Sequence, residues 1–104
     1  MALFVVIGLD DEPESFERRN ALRTEHLRFV ETIEDSIRMV GPTFNKDNVI
    51  NGSIYLMEAE DEAVVRARFE TEPYYRGGVY RDFLVRPFEV RKCDMPLKAR
   101  PKPA

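Results

Sequence analysis

Arg23-Thr24-Glu25-His26-Leu27 lies at the centre of the stretch that decides the fold, and it contains the only histidine of the chain. Apolar residues recur around this histidine at helical spacing, which predicts an amphipathic helix over about Arg19 to Met39. The apolar face of that helix consists of Leu22, His26, Phe29, Val30, Ile33 and Ile37. Because His26 belongs to this face, its imidazole is expected to point inward. Gly41-Pro42 is expected to end the helix, since glycine permits a left-handed cap and proline cannot continue a helix.

Four apolar runs outside the helix predict β-strands, because their side chains alternate or are apolar on both faces. The runs are Ala2 to Leu9, Val40 to Phe44, Ser53 to Ala59 and Val79 to Val90. The segment between the second and third runs is rich in Asn, Asp and Gly, which favours a hairpin connection.

A second, short helix is predicted after the third strand, with Asp61 as its N-terminal cap. A narrow stripe of small residues, Ala63, Val64 and Ala67, is expected to face the sheet. The helix is expected to end before Pro73, because the residue preceding a proline is pushed out of the helical region. The chain then turns through Tyr74 to Gly78 into the last strand.

The resulting order of strand, helix, strand, strand, helix, strand predicts an α+β, ferredoxin-like βαββαβ fold with a four-stranded antiparallel sheet. Residues 1–91 are expected to form this single domain, and residues 92–104 to form a C-terminal tail containing Pro and Lys. Helices of this fold cover one face of the sheet, yet several strands carry apolar residues on both faces. A monomer would expose a large apolar patch, so we expect a homodimer whose sheet faces meet as a dimeric α+β barrel.

Composition excludes several classes of function. A net charge of -3 and a pI near 5.2 argue against a nucleic-acid partner, which usually meets a basic face. No apolar run approaches the roughly 20 residues that a membrane helix needs. The single cysteine, Cys93, cannot form an internal disulfide, so a cytoplasmic location is expected. The sequence contains no phosphate-binding loop, glycine fingerprint or histidine–acid cluster, so neither a cofactor nor a metal is implied.

Several motifs resemble those of one known family. Arg23 to Leu27 looks like its R-x-x-H-L element, and Gly52-Ser53 looks like the start of its third strand. Glu72-Pro73-Tyr74, Gly77-Gly78-Val79-Tyr80 and Arg86-Pro87-Phe88 resemble its D-P-[FY], A-G-[VL] and [RK]-P-[WF] elements. Together they are similar to the YCII-related (YciI-like) domain of the dimeric α+β barrel superfamily. The resemblance implies a dimer of ferredoxin-like subunits with a small cleft near the histidine.

The resemblance also implies a site. A His–Asp pair is proposed as the active site of the family, and here His26 matches the histidine while Glu72 occupies the aspartate position. Most members have no known reaction, but one relative is a dehydrochlorinase acting on a chlorinated hydroxyhydroquinone, which implies cofactor-free lyase chemistry. Glutamate keeps the charge and adds a methylene, so the carboxylate moves by roughly one C–C bond, a distance to which catalytic geometry is sensitive.

Each candidate residue has a catalytic or binding interpretation and a structural one. His26 is either a general base oriented by Glu72 or a core histidine bonded to a backbone carbonyl. Arg23, one helical turn earlier, either binds an anionic group or extends into water. Tyr74 supplies a stacking wall or a hydroxyl donor, or it packs against a helix end. Ser53 is a candidate substrate contact and not a nucleophile, because the sequence offers it no activating base.

Two functions follow from these alternatives. In the first, the protein is a small-molecule enzyme with His26 as base, Glu72 as its orienting partner and Arg23 as anion clamp. In the second, it is a non-catalytic homodimer that binds a small ligand or another protein, through the tail or the Tyr74-Tyr75 turn.

Overall fold

The computed structural model of the protein describes residues 1–95, so most of the predicted tail lies outside the described residues. The elements are β1 (Ala2–Asp10), α1 (Ser15–Ile33), β2 (Ile37–Phe44), β3 (Ile50–Ala59), α2 (Glu62–Phe69), α3 (Pro73–Arg76) and β4 (Tyr80–Pro87). The four strands form one antiparallel sheet in the order β2-β3-β1-β4. This is the ferredoxin-like arrangement, so the predicted α+β fold is confirmed. The turn predicted after Pro73 contains the one-turn helix α3.

The end of α1 differs from the prediction. The helix ends at Ile33 rather than near Met39, and a 3₁₀ turn over Glu34–Ser36 leads directly into β2. The two acidic residues in this turn are repelled by the partial negative charge of the helix C-terminus, which disfavours a longer helix. The backbone groups that follow instead form hydrogen bonds with β3. Ile37 therefore begins β2 and does not extend the helical stripe.

Gly41-Pro42 accordingly lies inside a strand and not at a helix end. β2 is an edge strand of the sheet, and an edge tolerates proline because one side of its backbone needs no partner. The other three strand predictions differ only at their ends. β1 ends at Asp10 rather than Leu9, β3 begins at Ile50 rather than Ser53, and β4 spans Tyr80–Pro87 rather than Val79 to Val90.

The hydrophobic core lies between the helices and one face of the sheet. Its centre is Phe69 of α2, whose ring meets the rings of Phe29, Tyr55 and Phe83 at inclined angles. Buried apolar residues from β1, β3 and β4 surround it: Phe4, Val6, Met57, Ala59 and Val85.

Of the predicted small-residue stripe of α2, only Val64 packs on the core. Asp61 caps this helix by accepting a hydrogen bond from the Val64 amide at 3.0 Å, but Ala63 and Ala67 are exposed. Val65 and Phe69 are buried instead. Burying these larger side chains removes more apolar area from water than burying two alanines, which sets the rotation of the helix.

The opposite face of the sheet is apolar and is not covered by any of the three α-helices, which all pack on the core side. Its partly buried side chains alternate with the buried core residues along β1, β3 and β4. They include Leu3, Val5, Ile7, Leu9, Ile54, Leu56 and Leu84. We propose that a second copy of the chain covers this open face.

This proposal predicts a dimeric mass by light scattering at micromolar concentration. Leu56→Glu should give a monomer, because a charge at the centre of an apolar interface loses its hydration without gaining a partner. Phe16→Glu places the same charge on an exposed apolar residue of α1 and should leave the mass unchanged. A monomeric wild type, or a dimer insensitive to Leu56→Glu, would count against an interface on this face.

Candidate functional site

A cleft of about 260 Å³ opens between α1 and the β2–β3 edge of the sheet, and His26 borders it. The walls are largely apolar, with Leu27 and Val30 from α1 facing Val40 and Pro42 from β2. His26 lies midway along α1, and its side chain is 14% exposed. The imidazole is therefore mostly buried but still accessible to a molecule in the cleft.

Glu72, which lies 46 residues after His26 in the sequence, contacts the histidine through its side chain. Its Oε1 lies 2.7 Å from Nδ1 of His26, and the glutamate is fully buried. The sequence predicted both residues for the site, and the fold brings them together. The extra methylene of glutamate does not prevent the contact. Among residues 1–95, His26 is bonded to this carboxylate and not to a backbone carbonyl.

The local sequence explains how Glu72 is held. The residue precedes Pro73, so its backbone is extended, with φ -65° and ψ 127°. Pro73 occupies the first turn of α3, where its missing N–H costs nothing. From this position Glu72 caps α3, because Oε1 also accepts a hydrogen bond from the Tyr74 amide at 3.2 Å. The same oxygen thus starts a helix and holds the histidine.

This contact fixes the proton of the imidazole. An ionised carboxylate can only accept hydrogen bonds, so Nδ1 carries the proton and donates it to Glu72. In the neutral ring Nε2 then carries the lone pair. The second carboxylate oxygen, Oε2, is buried without a hydrogen-bond partner in the described part of the chain. The buried carboxylate therefore depends on the two donors at Oε1.

Tyr74 packs flat against His26. The two ring centroids are 3.8 Å apart and the planes differ by 6°. The Tyr74 hydroxyl donates to the Arg19 carbonyl at 3.4 Å, and burial raises the pKa of that hydroxyl, so it remains protonated. The packing interpretation of Tyr74 thus describes its main contact, although the side chain also borders the cleft.

Arg23 lies at the mouth of the cleft. It is exposed and forms no ion pair or hydrogen bond within residues 1–95. It borders the main cleft and also a small adjoining cavity beside Asn20. An uncompensated guanidinium at this place is available to an anionic group on a ligand.

Sequence reasoning missed a buried ion pair beside the cleft. Arg19 binds both carboxylate oxygens of Asp10, with distances of 2.7 Å and 2.9 Å. Burial lowers the pKa of Arg19, but the hydrogen bonds and charge of Asp10 outweigh burial and raise it above its usual value. The pair could have been predicted by extending the alternation of β1 forward to Asp10 and the inward face of α1 back to Arg19. Asp10 continues the buried alternation of β1, and Arg19 precedes Leu22 on the inward face of α1.

Ser53, the remaining predicted residue, also borders the cleft, and its Oγ lies 3.1 Å from Nη2 of Arg19. Four of the five predicted residues, Arg23, His26, Ser53 and Tyr74, therefore border one cavity. Glu72 is buried and does not border the cavity, but it contacts His26. No cluster of three or more potential metal ligands occurs among the described residues. No helix within residues 1–95 is long and apolar enough to cross a membrane.

Comparison with known proteins agrees with this architecture. Residues 3–89 match the model of the YCII-related domain. Protein YciI of Escherichia coli is 28% identical over 95 residues, which cover 84% of this chain and 97% of that protein. An uncharacterised protein of Haemophilus influenzae is 26% identical with the same coverage.

One solved structure is similar over most of its length. It is 5-chloro-2-hydroxyhydroquinone dehydrochlorinase (TftG) of Burkholderia phenoliruptrix in complex with 2,5-dihydroxybenzoquinone. The TM-score is 0.75 at 25% identity, and the match covers 84% of this chain and 93% of that one.

The geometry predicts the tautomer of His26. Nitrogen-15 NMR of the neutral imidazole, which needs no assignment because the chain has one histidine, should show the proton on Nδ1. Glu72→Ala removes the acceptor and should move the proton to Nε2, whereas Glu25→Ala, at an exposed position of α1, should leave it on Nδ1. A wild-type ring protonated on Nε2 would contradict the assignment.

Proposed function

This chain belongs to the YCII-related domain family, and from that membership and its His26–Glu72 pair we propose that it is a cofactor-free enzyme acting on a small molecule. The observation that carries the proposal is the 2.7 Å contact between Glu72 Oε1 and His26 Nδ1, at a ring that borders a cleft. A carboxylate that orients a histidine leaves the opposite nitrogen free to act as a base.

The proposed step is removal of a proton from the substrate by Nε2 of His26. The imidazolium formed then lies against the buried Glu72 carboxylate, which stabilises the new positive charge because little water screens the pair. Tyr74 limits rotation of the ring through its stacked contact. The base is therefore held in its working orientation before substrate arrives, which lowers the cost of reaching the transition state.

The proposed reaction class is elimination, as in a lyase. TftG is named for dehydrochlorination of a chlorinated hydroxyhydroquinone, and its structure holds a dihydroxybenzoquinone. In such an elimination the substrate proton passes to the base, the electron pair of the broken bond to hydrogen forms a new π bond, and chloride leaves with the electron pair of the C–Cl bond. Nothing in this balance requires an oxidant or a reductant.

The size and lining of the cleft favour a substrate with a single ring. Its volume of about 260 Å³ and its apolar walls suit a small planar body rather than a dinucleotide or a peptide. Arg23 at the mouth supports a substrate with an ionised oxygen, because its charge is not compensated within residues 1–95. We therefore assign Arg23 as the anion clamp.

Chloride release from 5-chloro-2-hydroxyhydroquinone tests the proposal. The wild type should release chloride, and His26→Ala should lower kcat by about 10²- to 10⁴-fold, the usual contribution of a positioned base. Arg23→Gln should chiefly raise KM, since it removes binding of the anionic group. Arg28→Gln, which removes an exposed arginine of the same helix outside the cleft, serves as the matched control.

Circular dichroism of each variant separates loss of chemistry from loss of fold. Equal turnover by wild type and His26→Ala would remove His26 from the mechanism. A wild type that binds the hydroquinone without releasing chloride would instead favour the non-catalytic, ligand-binding alternative.

A further inference from the structure

Ser53 of β3 has an unusual hydrogen-bonding position. Its side chain borders the cleft, although the residue is only 6% exposed. Its Oγ accepts hydrogen bonds from two donors, Nη2 of Arg19 at 3.1 Å and the hydroxyl of Tyr80 at 2.9 Å. Both donors belong to buried residues, of which Arg19 also borders the cleft and Tyr80 does not.

With these two donors bound, the Ser53 hydroxyl can form only one more kind of hydrogen bond. A serine hydroxyl has two lone pairs and one O–H, so two accepted hydrogen bonds fill its acceptor capacity. What remains is the O–H, which must donate. Within residues 1–95 neither Ser53 nor Tyr80 has another acceptor for its hydroxyl proton.

Reversing the bond between the two hydroxyls would not change this result. If Ser53 donated to Tyr80, the phenolic proton of Tyr80 would be buried without an acceptor among residues 1–95, which is unfavourable. Tyr80 is 4% exposed and does not border the cleft, whereas Ser53 does. The spare proton of the pair can therefore be satisfied only by Ser53 donating into the cleft.

The arrangement behind Ser53 is fixed. Asp10 holds the Arg19 guanidinium through two hydrogen bonds, so the Nη2 that reaches Ser53 has little freedom to turn away. A side chain added at Gly8 would meet the ring of Tyr80 at 2.7 Å, which shows how closely β1 packs against that ring. Ser53 is thus positioned before any ligand binds.

We propose that Ser53 donates a hydrogen bond to the ligand oxygen that becomes negatively charged when His26 removes a proton. The proton passes to Nε2 of His26. If it leaves an O–H group, the bonding pair stays on that oxygen as a phenolate; if it leaves a carbon beside a carbonyl, the C–H pair forms the C=C bond of an enolate and the carbonyl π pair moves onto the oxygen. In the proposed elimination, the charge on this oxygen then returns to form the new π bond as chloride leaves. This assignment rests on the proposed function for the proton transfer and adds a requirement on the ligand. The ligand must present an acceptor oxygen to Ser53, so a group that can only donate is excluded there.

Binding of 4-nitrophenol tests the assignment without any turnover. This single-ring probe absorbs visible light only as the phenolate, so absorbance reports the ionised fraction of the bound molecule. The wild type should bind phenolate in preference to phenol. Ser53→Ala should weaken that preference by about 10- to 100-fold, as expected for a lost hydrogen bond to a charged acceptor.

Three further variants separate donation from packing. Ser53→Thr keeps the O–H and should restore the preference for phenolate. Tyr80→Phe removes one donor behind Ser53 but keeps the serine O–H, so the preference should change less than about 3-fold. Thr43→Val removes a hydroxyl that donates to Asn51 outside the cleft, and it should have no effect.

Three outcomes would overturn the assignment. They are an unchanged phenolate preference in Ser53→Ala, an equal loss in Tyr80→Phe, and a wild type that does not prefer phenolate. The proposed function fails separately. Phenolate preference that depends on Ser53 in a protein releasing no chloride would exclude the elimination and leave the donor role intact.

Discussion

Burial of the Glu72 carboxylate is the constraint on which the rest of the site depends. A charged group without exposure to water is stable only when hydrogen-bond donors replace its hydration. Here the donors are the Tyr74 amide and Nδ1 of His26, and both act on Oε1. The first donor begins α3, and the second fixes the imidazole. The short helix, the histidine tautomer and one wall of the cleft therefore follow from one carboxylate.

A second buried charge borders the same cleft and is held differently. The charge of Arg19 is neutralised by Asp10, and its guanidinium donates a further hydrogen bond to Ser53. Tyr74 connects the two systems, because its ring stacks on His26 and lies 4.9 Å from the Arg19 guanidinium. The cleft thus has a lone pair at His26 and a set of donors at Ser53 and Arg23. A cavity bordered by a base and by hydrogen-bond donors is organised in advance for a charge that moves from the base to the ligand oxygen.

Patterns in the sequence predicted the fold well because the relevant periodicities are local. The alternation in β1 and β3 and the helical stripe from Leu22 to Ile33 depend only on neighbouring residues. The errors occurred where tertiary contacts, rather than local patterns, determine the structure. Pairing with β3 turned Ile37 and Gly41-Pro42 into an edge strand, and the size of Val65 and Phe69 rotated α2 away from its alanine stripe.

Local sequence patterns predicted the site less well than the fold. His26 and Glu72 are 46 residues apart, so no spacing rule relates them, and only the family resemblance predicted their pairing. The resemblance leaves open whether glutamate reaches as aspartate does, and the extended backbone before Pro73 answers that question. The Asp10–Arg19 pair was missed because a charged residue at the end of a strand or helix usually faces water.

A double-mutant cycle on the free energy of unfolding tests the central claim most directly. The wild type, His26→Ala, Glu72→Ala and the double variant are compared by urea denaturation at neutral pH. The free-energy costs of losing the α3 cap and side-chain packing largely cancel around the cycle. The coupling free energy that remains therefore reports the interaction between His26 and Glu72. A buried, charge-assisted hydrogen bond predicts a coupling of about 1.5 to 3 kcal/mol. A coupling below about 0.5 kcal/mol, the usual error of additivity, would contradict the account.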